Sequence, residues 1–361
     1  MSGHDIGFGK ARLVPDVPGG TALGVSRGVL AVLAIAFALG GAAGLTVPLR
    51  VQAGAYLIGM VAMNLPHGGY EHFDNLRRRA RSFQVRYLAL YVTAIATFVA
   101  LFFLAPVAGL ALALGVAMAK GGHGGLKVME GTSGTDHLRT RLQRALAAAV
   151  RGGAVMLVPL VFWPHTFHTF SAIMVDIFQP GALTGASRYF DLTRTVIAGG
   201  YGALLVVHLG LGYWRSAGTG SYLADALDSL LLVAYFAAVP VVLAVGLYFP
   251  FWYSLRQVGR TTAVQKTDPP RTDPDRDLLS VLDAEDPRLV ALGAWTVLIV
   301  GALATFGLAA TLWVASPNPL GGASILPGLV AFWSVFVSII ALPHVVIGSW
   351  FDRARGIWYV P

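Results

Sequence analysis

VQAGAYLIGMVAMNLPHGGYEHFDNLRRR, residues 51–79, decides how the chain is read. From Val51 to Pro66 it carries no charge, the pattern of a segment inside lipid. Pro66 and the Gly68–Gly69 pair then break or kink the helix. His67, Glu71 and His72 follow, and then the cluster Arg77, Arg78 and Arg79. A basic cluster just past an apolar run marks the cytoplasmic side. The span therefore runs inward and delivers two imidazoles to the inner edge of the membrane.

The rest of the chain supports this. Of its 361 residues 56% are hydrophobic and only 12% are charged, with a mean hydropathy of +0.67. A soluble fold cannot hide that much apolar surface, so the sequence predicts an all-α, polytopic membrane bundle. A secreted enzyme, a nucleic-acid module and a disordered protein are excluded. The net charge of +8 is read as the basic excess of cytoplasmic loops, with no nucleic-acid partner. Cysteine is absent, which removes disulfides, thiolate metal sites and cysteine nucleophiles. The first twenty residues do not have the form of a signal peptide.

A span needs ~20 apolar residues. Clear runs lie at 25–46, 51–66, 87–105, 107–120, 146–163, 195–214, 229–252, 289–315 and 325–350. A weaker one covers 165–187 and includes Asp176. If 165–187 crosses, 24 of the 26 Lys and Arg fall on the cytoplasmic side, leaving Arg50 and Arg215 outside; if it does not, the split is 15 to 11. The positive-inside rule selects the first arrangement: about ten passages (nine plus a possible re-entrant segment), with both termini cytoplasmic. The organisation predicted is a cytoplasmic segment over 1–24, a main bundle over 25–255, a polar cytoplasmic loop over 256–288, and a helix pair with a short tail over 289–361.

Polar groups at membrane depth are functional candidates by default. His67 and His72 end the second span, His123 the fourth and His344 the last, all going inward. Imidazoles that converge from separate helices are how bundles build metal sites, and Glu71 could orient one of them from behind. KGGHGGLK places His123 between glycine pairs. It is read either as a ligand or as a residue in the loop beyond a helix end. His165 and His168 read as interfacial, His208 as a packing residue near an outer end, and His4 and His137 as lying in exposed polar segments. No nucleophile elbow, phosphate loop or Rossmann pattern occurs.

Several segments resemble one family. Pro66, His67, Gly68, Glu71 and His72 are similar to the PHG-x-x-DH signature of the Brp/Blh family of membrane β-carotene 15,15'-dioxygenases. GGHGGL around His123 resembles that family's histidine–glycine motif. VRGGAVMLVPLVFWP is similar to its RG-x-n-LPLLFHP segment, and GLYFPFWYSLRQVGR to its YF-x-x-WHS-x-RH segment. ALPH, ending at His344, also fits. The resemblance implies an integral-membrane, Fe2+-dependent enzyme of the cell membrane. Such an enzyme cleaves a carotenoid with dioxygen at its central double bond, within the lipid bilayer, to give retinal for a rhodopsin. It implies iron on His67 and His123. The third motif's two histidines are replaced by Tyr253 and Gln257, next to Trp252. Two outcomes follow. His344 or His72 completes an altered metal site that Tyr253, Gln257, Trp252 and Glu71 line or support, or the iron is lost and a non-catalytic carotenoid or retinoid binder remains. A small-molecule transporter is the third reading, because broken spans also occur in carriers.

Overall fold

The computed structural model describes residues 20–64, 81–216, 220–265 and 287–351. All regular structure among them is helical. The helices are α1 (Gly20–Ala42), α2 (Leu49–Leu57) running into a π-helical segment (Ile58–Asn64), α3 (Arg81–Leu104), α4 (Pro106–Thr132), α5 (Arg141–Phe162) and the short α6 (Pro164–Asp176). After a 3₁₀ turn (Ala186–Tyr189) come α7 (Phe190–Ser216), α8 (Gly220–Ala238) and α9 (Val241–Tyr248). A second π segment (Phe249–Ser254) joins α9 to α10 (Leu255–Gln265), and α11 (Pro287–Ala315) and α12 (Ile325–Phe351) complete the bundle. Six of these, α1, α4, α5, α7, α8 and α12, contain a stretch long and apolar enough to cross a membrane. Shorter apolar stretches lie in 49–63, 88–104 and 299–315. The outward faces of α1, α7 and α11 carry exposed large apolar residues such as Val32, Leu39, Val206, Leu303 and Val314, a surface suited to lipid. This is a membrane protein.

Two expected spans are redrawn. Residues 229–252 are not one helix: α8 ends at Ala238, and Pro240, which has no N–H to donate and a fixed φ, caps the start of α9. Residues 165–187 are not one helix. α6 has 13 residues, and turns follow it over 177–185, with Ile177 and Phe178 buried in the core. Asp176 ends that helix, half-buried, and its carboxylate accepts from Gly181 N at 2.8 Å. Arg215 at the end of α7 donates from Nη1 to Gln143 Oε1 at 2.8 Å at the start of α5, so these two helix ends lie together.

α4 is longer than its apolar run. Helix continues through Gly121, Gly122, Gly124 and Gly125 to Thr132, so His123 lies inside a helix and not in a loop beyond one. The glycines serve the crossing with α5. A Cβ on Gly122 would collide with Ala148 O, and one on Gly152 with Met118 O. Small residues let two backbones touch where bulkier ones would hold them apart.

The core has two parts. One gathers α1, α2, α5, α8 and α9 around Tyr235, Phe236 and Tyr248. The other packs α3, α4, α11 and α12 around Phe102 and Phe336. In the second, Phe98, Phe102 and Phe178 stack with centroids 5.2 Å apart.

Candidate functional site

α2 and α9 lie side by side and both widen into π helix at the same level, over Ile58–Asn64 and Phe249–Ser254. Single π turns inside α-helices re-aim the side chains that follow, and they recur at functional sites. The contact needs glycine. A Cβ on Gly59 would overlap Gly246 O, and one on Gly246 would press on the Tyr56 backbone. The Tyr56 hydroxyl shares a 2.6 Å hydrogen bond with Ser334 Oγ, tying α2 to α12.

The second π segment faces the glycine-flanked part of α4. A Cβ on Gly124 would lie 2.7 Å from Tyr253 Cε2, 3.1 Å from Gln257 Nε2 and 3.2 Å from the Tyr253 hydroxyl. Tyr253 and Gln257 therefore occupy the space a side chain would take beside His123. Gln257 Nε2 donates a long bond, 3.4 Å, to Gly124 O. One turn earlier, Lys120 Nζ lies 5.1 Å from the Tyr253 ring centroid and 6.0 Å from that of Phe249. Trp252 is buried beneath Arg256, whose Cζ lies 4.0 Å from the indole centroid.

An apolar cavity of about 140 Å³ opens onto this place. α6 lines it through Phe167, Phe170 and Met174, and α2, α4, α5, α9, α12 and the two π segments supply the rest. Among the described residues, Lys120 is the one charged residue in its wall. Met60, Lys120, Phe249 and Ala341 all line it. In chain order they precede His67, His123, Tyr253 and His344 by seven, three, four and three residues.

Of the expected site residues, the structure brings Tyr253 and Gln257 together against Gly124, the residue after His123 in α4, with Trp252 and Tyr253 on the same π segment. His67, Glu71 and His72 lie outside the described residues. His344 is in the last third of α12, and its side chain lies outside the described set. Among the described residues no three His, Asp or Glu side chains form a metal-holding group.

Sequence reading missed a buried ionic network at the same end of the bundle. Asp225 and Asp228 of α8 are 1% exposed. Asp225 accepts from Arg151 Nη2 at 2.6 Å and lies 2.8 Å from His137 Nε2 and 3.1 Å from His208 Nε2. Asp228 accepts from Arg27 Nε at 2.8 Å and from Arg256 Nη2, with Arg151 Nη1 at 3.7 Å. His137 is thus fully buried rather than exposed. His208 is bound to the carboxylate of Asp225 rather than packed alone. The available signal was the pair of carboxylates three apart at the head of ADALDSLLL, which share a helical face.

Residues 58–352 match the beta-carotene 15,15'-dioxygenase family. A protein named probable beta-carotene 15,15'-dioxygenase Brp, from Halobacterium salinarum, is 63% identical over 354 residues, 98% of each chain. One named probable beta-carotene 15,15'-dioxygenase Blh, from the same species, is 31% identical over 304 residues, 82% of this chain and 83% of that one. No solved structure matches this chain. Glycine-flanked His123, the π segment facing it and the apolar cavity all fall within the matched stretch, and the chain belongs to the beta-carotene 15,15'-dioxygenase family.

Proposed function

We propose that the protein cleaves β-carotene with dioxygen at its central double bond, releasing two molecules of retinal inside the membrane. The observation that carries this is the apolar cavity walled by α2, α4, α6, α9 and α12, which is lined by Lys120, three residues before His123, and by Phe249, four before Tyr253. A carotene offers no polar handle. It is held by shape and apolar contact alone, and Phe167, Phe170, Met174 and Phe249 supply that contact.

Iron fits the donor chemistry available here. His67 and His123 would hold it, with His344 and His72 completing the set. Imidazoles suit ferrous iron and leave positions open. The missing Cβ of Gly124 lets Tyr253 and Gln257 approach α4 closely, next to His123 in the chain. Bound iron would supply the one-electron chemistry that lets dioxygen react with a hydrocarbon. The protein's own contribution is placement. Tyr253 and Gln257 close one side of the site, and the cavity keeps water from the reacting polyene.

The orientation follows from the redrawn helices. We place the network of Asp225 and Asp228 at the cytoplasmic face of the cell membrane and the turns over 177–189 outside. Ten helical passages then cross, α6 does not, and both termini are cytoplasmic. Only Arg50, Arg188 and Arg194 of the 26 basic residues lie outside. The retinal made would be delivered from the bilayer to a rhodopsin.

The test is expression in cells that accumulate β-carotene, with chromatography of the extracted pigments. Retinal is expected from the wild type and not from His123→Ala at equal protein level. Intact carotene with well-expressed wild type would overturn the reading in favour of a carotenoid or retinoid binder.

A further inference from the structure

Hydroxyls on the helices of this protein return their hydrogen to the backbone. Thr169 donates to His165 O at 2.9 Å, Thr305 to Gly301 O at 2.8 Å, and Ser316 and Ser334 to Leu312 O and Val330 O at 2.6 Å. A carbonyl one turn back is the local partner open to such a side chain. Ser171 departs from this. It lies in α6, two residues past Thr169, and is buried, yet among the described residues its hydroxyl makes no hydrogen bond. Phe167, Phe170, Ser171 and Met174 recur at the spacing of one helical face, and that face is the wall α6 gives to the cavity. The neighbouring hydroxyls of the wall are spent. Ser334 and Ser338 donate to Val330 O and Val335 O, which leaves Tyr56 to donate to Ser334. A buried hydroxyl without a partner is costly, so Ser171 calls for one inside the cavity.

The cavity has two ends. Its lining runs from Leu110 to Lys120 on α4 and from Val330 to Ala341 on α12, about 15 Å at the rise of a helix. His123 and His344 follow just beyond Lys120 and Ala341. α6 closes the opposite end. α5 runs antiparallel to α4, with Gly122 against Ala148 and Gly152 against Met118, so the last turn of α5, from which α6 departs, is level with the start of α4. Beyond α6, Ile177 O accepts from Asn318 N at 3.0 Å, in the connection that precedes α12. With the scissile bond at the histidine end, one half of a carotenoid fills the cavity and its ring reaches α6. We propose that Ser171 sets the substrate range: its hydroxyl bonds an oxygen carried by that ring, a hydroxyl or a keto group, and so admits ring-oxygenated carotenoids beside β-carotene. This deepens the dioxygenase reading and rests on it. The reaction itself is unchanged. The central C=C breaks, each of its carbons takes one oxygen atom of dioxygen, and the ring oxygen leaves intact on the aldehyde product.

The subsite can be tested without any turnover. Purified protein in detergent is titrated with β-carotene and, separately, with zeaxanthin, which carries a hydroxyl on each ring, following quenching of tryptophan fluorescence. The wild type should bind both. In Ser171→Ala the zeaxanthin affinity should fall about fivefold, the worth of one neutral hydrogen bond. β-Carotene affinity should stay within about twofold of wild type, since no polar contact to it is lost. Ser171→Cys, which refills the space with a weak donor, should show the same selective loss. Unchanged zeaxanthin affinity in both variants would overturn the proposal. So would an equal loss for both ligands, which would mean that Ser171 only packs, and so would a wild type that binds β-carotene and excludes zeaxanthin. If wild-type cells make no retinal from β-carotene while the purified protein shows the Ser171-dependent preference, the cleavage reading fails and the subsite stands as that of a carotenoid binder.

Discussion

Arg256 and Asp228 form a buried ion pair that fastens the segment bearing Trp252, Tyr253 and Gln257 to α8. Arg256 lies between Tyr253 and Gln257 in the chain, so the residue that anchors the segment sits among those that line the site. Asp228 also holds Arg27 of α1 and faces Arg151 of α5. One carboxylate thereby sets the site wall against three other helices.

Removing that carboxylate should cost more than removing any one of its partners. Asp228→Asn takes the charged partner from both Arg27 and Arg256, while Arg151 keeps Asp225, whereas Arg27→Met leaves Asp228 with two guanidinium groups. Breaking a buried pair typically costs about 3–5 kcal/mol. Thermal unfolding of the purified protein in detergent should therefore place Asp228→Asn well below Arg27→Met and the wild type. Equal melting of the two variants would show that Asp228 is not the hub of the network.

Gly124 should be intolerant of any side chain, for a reason tied to the site rather than to the helix. Gly124→Ala sets a methyl 2.7 Å from the Tyr253 ring and must displace it. Displacements of this kind at a reacting centre cost about a hundredfold in rate. Gly125→Ala, whose nearest new neighbour is Arg151 Cδ at 3.4 Å, is the matched control. Retinal yield from carotene-producing cells should drop sharply in the first and stay near wild type in the second, at comparable protein levels. Similar yields from both would detach Tyr253 from the reaction.

The membrane class was legible from composition, and the family from a handful of residues around His67, His123 and Trp252. What escaped were features that depend on packing between distant segments. Pro240 lies within an apolar run, so hydropathy alone carries α8 straight into α9. With the span drawn from 229, Asp225 and Asp228 fell just outside it and drew no notice. Their neutralisation comes from Arg27, Arg151 and Arg256 on three other helices, which no local window contains. His137 and His208 were misjudged for the same reason: their partner, Asp225, is 88 and 17 residues away. The π segments were also invisible, since they lie where two distant helices meet at the Gly59–Gly246 contact, which no local window contains.

The orientation can be tested with single cysteines, because the native chain has none to interfere. Thr184→Cys lies in the turns after α6 and Asp136→Cys in the connection between α4 and α5, both at exposed positions. A membrane-impermeant maleimide should label Thr184→Cys in intact cells and Asp136→Cys only after permeabilisation. The reverse pattern would invert the molecule, and labelling of both in intact cells would remove the ten-passage arrangement.

Iron content separates the two roles assigned around Gly124. If His67 and His123 are ligands, His67→Ala and His123→Ala should each purify with little iron, because too few donors remain to retain it. Tyr253→Phe and Gln257→Leu should keep near-stoichiometric iron while lowering retinal yield, since those two side chains shape the space beside His123 without being needed to hold a metal. Elemental analysis of the four purified variants reads this directly. Iron retained in His123→Ala but lost in Tyr253→Phe would make the phenol the ligand and turn the site toward ferric chemistry. Iron unchanged in all four would place the metal elsewhere in the bundle. The arrangement of His123, Tyr253 and Gln257 around one glycine would then belong to the shape of the carotenoid cavity alone.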